Sequence, residues 1–272
     1  MDILTVTDGS FSYGDTPVFK EITLRLPRGA TLCLLGPNGC GKTTFIGALL
    51  GIHPLAAGEI TLDGKNLGTL SPRQVAGLMA YVPQKQLRHF SFSVMDVLLM
   101  GRTPYTSFFD APGPEDRKMA GRVLAMFGLS HLKNRDYTLL SGGETQLVMI
   151  MRALVQDTPI IIMDEPTAHL DFKHELLVLE TIAMLVKQQQ KTLVMATHFP
   201  NHAFYLENKG IEVDVAFMHQ GAIVQAGPPS EALTPDNLER FYGIRAFVAS
   251  HPHPGAGVLK QVIPVETIKE NR

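Results

Sequence analysis

The sequence predicts an α/β fold with a mostly parallel core sheet, an N-terminal antiparallel β subdomain and an inserted helical subdomain. Three observations carry this. Residues 31–35 form an apolar run that reads as a strand, followed by a Gly-rich turn and a helical pattern from 42 to 50 that Gly51 and Pro54 end. Residues 160–163 and 192–197 read as buried strands separated by an amphipathic helix at 172–189, and strands that alternate with helices imply a parallel sheet. Residues 2–7 and 18–26 alternate apolar and polar positions with turn residues between them, as antiparallel strands do.

The remaining elements follow in order. Residues 58–64 read as a strand closed by an Asp63-Gly64 turn. Ser71-Pro72 is an N-cap followed by Pro at the first helical position. Residues 80–82 are a short strand stopped by Pro83. After Gln84 the character changes, and residues 85–157 carry helical patterns with no convincing strand. Ser93 to Asp96 is a capping box, residues 114–127 are a second helix, and residues 144–155 are apolar nearly all round, as in a buried helix. This stretch is the expected helical subdomain, inserted in a core domain spanning 1–245, with 246–272 as a C-terminal extension. Residues 213–218 and 222–225 read as a hairpin around Gln220-Gly221, and a helix near 230–242 precedes a Pro/Gly-rich tail with two short strands.

Composition narrows the function classes. At 272 residues the chain can bury a full core, in one large domain or two closely joined ones. A net charge of −2 offers no broad basic face, so nucleic acid is not an expected partner. Cys33 and Cys40 cannot build a disulfide framework, which suits a reducing compartment. Hydrophobic residues make up 45 % of the chain, yet no stretch approaches the ~18 consecutive apolar residues of a membrane span. The first residues lack a basic n-region and a small-residue cleavage site, so a signal peptide is not expected. The expected place is the cytosol, with attachment to a membrane partner open.

The chemistry centres on Gly36-Pro37-Asn38-Gly39-Cys40-Gly41-Lys42-Thr43, which fits G-x-x-x-x-G-K-[ST] in a strand–turn–helix context. Glycines let backbone N–H groups point inward, and the helix dipole favours negative charge there. Lys42 would reach the outer phosphates of a nucleoside triphosphate, Thr43 would offer a hydroxyl to Mg²⁺, and Thr44 belongs to the same cradle. Cys40 sits at the helix start, where thiol pKa values tend to fall, and is expected to be open to alkylation. The strand at 160–163 runs into Asp164 and Glu165 at its carboxyl end, where ligand sites of parallel sheets lie. Asp164 is placed to hold Mg²⁺ and Glu165 to polarise an attacking water. Leu140-Ser141-Gly142-Gly143-Glu144 also opens a helix. It reads either as a plain N-cap or as a second phosphate cradle, closing on a nucleotide held by another copy. His198 and His202, and His251 with His253, tempt a metal reading, but Pro200 argues against a helix across the first pair and the second lacks an acid or Cys.

The order of these segments, the phosphate loop at 36–43, Leu-Ser-Gly-Gly at 140–143 and Met-Asp-Glu-Pro-Thr at 163–167, resembles the ATPase subunit of an ATP-binding cassette (ABC) transporter over roughly residues 2–245. The resemblance implies a P-loop NTPase fold, ATP and Mg²⁺ as cofactors, and catalysis by Glu165, His198, Lys42 and Gln84. It implies that Tyr13 stacks on adenine, that Gln84 lies near Mg²⁺ and the permease, that Asp171 belongs to a loop facing the second copy, and that His198 contacts the γ-phosphate. From the residues alone, Tyr13 could be a turn residue, Gln84 a surface amide and His198 a core histidine. Residues 94–104 and 167–171 are similar to cassettes that power import of iron-siderophore, haem and cobalamin complexes, with molybdate relatives. Thr145 and Phe199 depart from the family pattern, where a basic residue and an Asp are usual.

By that resemblance the partners are a second copy of the chain, an integral membrane permease and a periplasmic or lipid-anchored substrate-binding protein, with the chain peripheral on the cytoplasmic side of the membrane. Residues 85–109, with Phe90, Phe92, Tyr105, Phe108 and Phe109, are a candidate docking surface for the permease. Two other classes stay in view. A soluble ABC ATPase acting on nucleic acid or ribosomes usually carries a long coiled-coil insert or two cassettes in one chain. A small-molecule kinase or GTPase would leave the Leu-Ser-Gly-Gly segment without a role.

Overall fold

The structure is a computed structural model and describes residues 2–84, 90–106, 110–255 and 257–268. The chain divides into two compact units, one made of residues 1–69 and 182–272 and the other of residues 70–181. The fold is that of a P-loop NTPase, with a parallel-dominated sheet, an antiparallel N-terminal sheet and a helical subdomain.

The first half of the chain runs β1 (Asp2–Tyr13), β2 (Thr16–Pro27), β3 (Thr31–Leu35), α1 (Lys42–Leu49), β4 (Ala57–Leu62), β5 (Lys65–Asn66), α2 (Pro72–Leu78), β6 (Met79–Val82), α3 (Val94–Leu99) and α4 (Pro114–Met126). The second half runs α5 (Gly142–Gln156), β7 (Ile160–Asp164), α6 (Phe172–Gln189), β8 (Thr192–Thr197), α7 (Asn201–Asn208), β9 (Val213–His219), β10 (Ala222–Gly227), α8 (Pro229–Ala232), α9 (Pro235–Tyr242), β11 (Ile244–His253) and β12 (Gly257–Thr267).

In the first unit, β2-β1-β4-β5 form an antiparallel sheet. β1 and β2 are longer than their alternation predicts. Bulges at Asp8 and Glu21, both in the left-handed region at φ 52° and 51°, shift the register and break the period-2 pattern partway. β3 pairs in parallel with β8 on one side and β9 on the other. Gln220 and Gly221, at φ 47° and 77°, make the tight turn from β9 to its antiparallel neighbour β10. All five residues of β3 are buried, as a strand covered on both faces requires. Phe45 of α1 is fully buried and meets Phe19 of β2 edge to face at 5.4 Å.

The tail departs from its prediction twice. The helix expected near 230–242 is two helices, because Thr234 caps a new start with Pro235 at its first position. The two short strands are instead ten and eleven residues long, and pair along their whole length as an antiparallel ribbon.

In the second unit, β6 and β7 pair in parallel. The N-cap read at Ser71 and the capping box read at Ser93 are both formed, and Ser71 completes a capping box too, with Gln74 and Asp96 as the reciprocating side chains. α5 buries residues on every face, from Thr145 through Val155. Gln156, its last residue, donates to the Ala76 and Met79 carbonyls at 2.6 and 2.9 Å and so ties α5 to the start of β6. Arg102 donates to Asp116 at 2.7 Å and to the Val155 carbonyl at 3.1 Å, joining the segment after α3 to α4 and α5.

Phe45 supplies the contact that seats the phosphate-loop helix on the N-terminal sheet. Phe45→Ala is expected to destabilise the chain by about 3–5 kcal/mol, read as a lower urea midpoint at unchanged slope.

Candidate functional site

The site is built at the carboxyl ends of parallel strands. β3 ends at Leu35, and the chain turns through Gly36 at φ 153°, Gly39 at φ 80° and Gly41 at φ 107° into α1. A Cβ on Gly36 would stand 2.1 Å from the Met218 carbonyl oxygen of β9, so only glycine lets the loop lie this close to the sheet. Lys42 is buried, and its ammonium folds back over the loop to donate to the Gly36 and Pro37 carbonyls at 2.7 and 3.1 Å. α1 has no side-chain cap and no acidic residue in its first turn, whereas α2, α3 and α5 each close theirs with a capping box. No capping side chain and no first-turn acid meets the dipole of α1, and a phosphate fits there.

Pro37 is half-buried while Asn38, Gly39 and Thr43 are exposed, and Thr44 is half-buried. Cys40 differs from the expectation of a reactive thiol. It is buried, and its Sγ would be 2.8 Å from a Cβ on Gly36, so the sulfur packs under the loop it was expected to expose. Burial also pushes the Cys33 thiol up to about 12.

Strand register places His198. Leu35 of β3 is paired with Thr197 of β8, so Gly36 and His198 leave neighbouring strands side by side. The Thr197 hydroxyl holds the turn beyond, accepting from the Phe199 amide at 3.1 Å and bonding His202 Nδ1 at 2.9 Å. His202 is therefore a buried polar partner in α7, and His198 lies before that helix begins. Tyr13 ends β1 and is 55 % exposed; its ring meets Phe11 edge-on at 4.9 Å and its hydroxyl lies 3.3 Å from His53 Nε2. Val18 of β2, in the same hairpin, packs where a Cβ on Gly41 would come within 3.3 Å.

The same logic works in the second unit. Val82 of β6 is paired with Met163 of β7, so Pro83-Gln84 and Asp164-Glu165 leave neighbouring strands together. Gln84 is exposed, whereas Asp164 and Glu165 are buried. Glu165 takes φ 47°, a left-handed conformation that costs a non-glycine residue on the order of 1–3 kcal/mol and clusters at functional sites. Burial, and secondarily the Asp164 charge, push the Tyr81 hydroxyl up to about 12. Buried carboxylate oxygens are the hard donors that Mg²⁺ takes.

Ser141 caps α5, accepting from the Glu144 amide at 3.3 Å, while the Glu144 carboxylate accepts from the Ser141 amide at 2.8 Å. These bonds hold the Glu144 carboxyl below the usual carboxylate range. Gly142 and Gly143 begin the helix, and Gly143 is needed for packing, since a Cβ there would stand 2.0 Å from Cδ2 of His174. His174 in turn binds Asp171, its amide to Oδ1 at 2.9 Å and its Nδ1 to Oδ2 at 2.8 Å. Hydrogen bonds from the His174 amide and ring hold the Asp171 carboxyl low. His174 thus links the Ser141–Glu144 segment to Asp171, a role the sequence reading missed. Its spacing of three from Asp171 on α6 was the available signal. Three groups of expected site residues are each brought together within one unit: the phosphate loop with His198, Gln84 with Asp164 and Glu165, and Ser141 to Glu144 with Asp171.

Comparisons with known proteins agree with this geometry. Residues 19–168 match the family described as ABC transporter. The chain is 32 % identical over 252 residues to the iron(3+)-hydroxamate import ATP-binding protein FhuC of Bacillus subtilis, covering 93 % of this chain and 92 % of that one. It is 34 % identical over 247 residues to the hemin import ATP-binding protein HmuV of Bordetella pertussis, covering 88 % and 91 %. Among solved structures it superposes on a metal-chelate type ABC transporter in an inward-facing conformation with a TM-score of 0.84 at 29 % identity, covering 97 % of this chain and 98 % of that one. The chain belongs to the ABC transporter family, and is one of its ATP-binding, ATP-hydrolysing cassettes.

Proposed function

We propose that this cassette drives uptake of a metal chelate, an iron-siderophore, haem or cobalamin-type complex, through a membrane permease. The observation that carries the mechanism is the pairing of two Gly-rich helix starts in one chain, only one of which has a lysine and lacks a cap of its own. One nucleotide does not need both from the same subunit. Two copies therefore sandwich two ATP, each held by the phosphate loop of one copy and the Ser141–Glu144 segment of the other. The cargo class is supported by the iron(3+)-hydroxamate and hemin import of the FhuC and HmuV relatives and by the metal-chelate type of the structural neighbour.

In this reading Lys42 and the loop at 36–44, through the backbone N–H groups of its non-proline residues, hold the phosphates, and Tyr13 takes the adenine face. Thr43, Asp164 and Gln84 supply oxygen donors for Mg²⁺, which when bound neutralises phosphate charge. Glu165 polarises the attacking water, and His198 meets the γ-phosphate as charge develops. Asp171 faces the second copy. No helix among the described residues is long and apolar enough to cross a membrane. The chain would sit peripherally on the cytoplasmic face, with a periplasmic or lipid-anchored binding protein delivering cargo to the permease. Phe90, Phe92 and Tyr105 are exposed and suit a docking surface for that permease; Phe108 and Phe109 of the same expected surface lie outside the described residues.

Three outcomes test this. Glu165→Gln should bind ATP yet lose about two to three orders of magnitude of turnover, and ATP with Mg²⁺ should move it to dimer size on gel filtration. Wild-type turnover would remove Glu165 from the chemistry. Ser141→Arg and Lys42→Ala should each be inactive alone, but a mixture should recover hydrolysis, because one site of each heterodimer is intact; full activity of Ser141→Arg alone would make that segment structural. Gly143→Ala should displace His174, lowering both the melting temperature and ATP-driven dimerisation. A variant with normal dimerisation would separate the two.

A further inference from the structure

The C-terminal ribbon has no part in the reading above, yet it is bonded to the residues around His198. Three observations bear on this. The Tyr242 hydroxyl, at the end of α9, donates to the His198 carbonyl at 3.2 Å. Asn201, three residues beyond His198, clasps β12 with both side-chain atoms: Nδ2 donates to the Val262 carbonyl at 3.1 Å and Oδ1 accepts from the Val262 amide at 2.7 Å. One helical face further on, Asn208 does the same to Lys260, with both bonds at 3.0 Å. Glu207 adds an ion pair to the Lys260 ammonium at 3.2 Å.

These bonds close a ring. Gly243, directly after Tyr242, accepts from the Ile268 amide at 2.8 Å, so the base of the ribbon is pinned where α9 ends. From there β12 runs back to Val262 and Asn201. The turn from Thr197 to Asn201 is thus held from inside by the Thr197 hydroxyl and His202, and from outside by Tyr242 and the ribbon.

We propose that the end of α9 and the C-terminal extension together position His198, with Tyr242 and Asn201 as the positioning residues. The inference rests on the reading that His198 meets the γ-phosphate. A side chain that must meet charge developing on a phosphate needs its backbone fixed, because stabilisation of this kind comes from groups already in place. Gly36 and His198 start level through strand register, but register fixes only the strand end. Phe199 stands where the family pattern has Asp, and Pro200 follows, so this turn is held by neighbours rather than by an acid of its own. The Tyr242 bond from the end of α9 and the two Asn201 bonds to Val262 of the extension supply that hold.

The test uses the full-length chain. Tyr242→Phe and Asn201→Ala, combined, remove the Tyr242 bond and both Asn201 bonds and leave the ribbon pinned at Gly243 and Asn208. Turnover should fall about tenfold while the KM for ATP stays within about twofold, as for loss of an interaction made in the transition state. Assays run well below the melting temperature of every variant. The same pair of changes on a His198→Ala background, followed by single-turnover hydrolysis, should cause no further loss. Turnover within about twofold of wild type for the double variant would overturn the proposal, as would an equal loss on both backgrounds. Wild-type turnover of His198→Ala by itself would instead overturn the reading of His198, and the inference with it.

Discussion

The backbone ladder between parallel strands decides where chemistry is possible in this chain. A parallel pair buried on both faces cannot slip by one residue without exchanging the side chains packed against its two faces, so the residues that leave the ladder together are fixed by the packing of those before them. β3 and β8 are buried throughout, and their pairing of Leu35 with Thr197 sets the phosphate loop beside His198. β6 and β7 repeat the arrangement with Val82 and Met163, setting Gln84 beside Asp164 and Glu165. Apolar residues far from any ligand therefore fix the positions of the polar ones.

The two Gly-rich helix starts differ in what they are ready to bind. At α1 the lysine lies over the loop and the helix carries no cap, so positive potential is kept at an open mouth. At α5 the Glu144 carboxylate already occupies the Ser141 amide and is held ionised there. A phosphate arriving at the second start meets that charge and must share its donors. At the first start Lys42 has only to release the Gly36 and Pro37 carbonyls to meet a phosphate. In the proposed two-copy arrangement the second start would engage only a nucleotide already held against it, so closure would follow occupancy by electrostatics as well as by shape.

Much of this was legible in the sequence. The phosphate loop, the buried strands, the N-cap at Ser71 and the capping box at Ser93 are local, and local signals are set by the residues that carry them. Length of pairing was not legible. β1 contains a bulge at Asp8 that breaks alternation, so its pattern is legible only to residue 7, whereas β2 is legible to within two residues of each end despite its bulge at Glu21. β11 and β12 carry Pro252 and Pro264 and read as short, though their partner is each other over ten registered pairs. The links made by His174, Asn201 and Tyr242 join segments that only folding brings together. The burial of Cys40 was hidden for the same reason, since a sequence places a thiol at a helix start and says nothing of what packs over it.

The paired amides of Asn201 and Asn208 have a bearing on solubility. A two-stranded ribbon has two open edges, and an open edge is a template for another chain to extend. An asparagine side chain carries one donor and one acceptor, as a peptide group does, and two of them spaced along one helix face match alternate residues of β12. The helix thereby imitates a third strand without being one. A chain that carried a long appended ribbon would otherwise be prone to stacking with its copies, and α7 takes up the edge of β12 through which such stacking would begin.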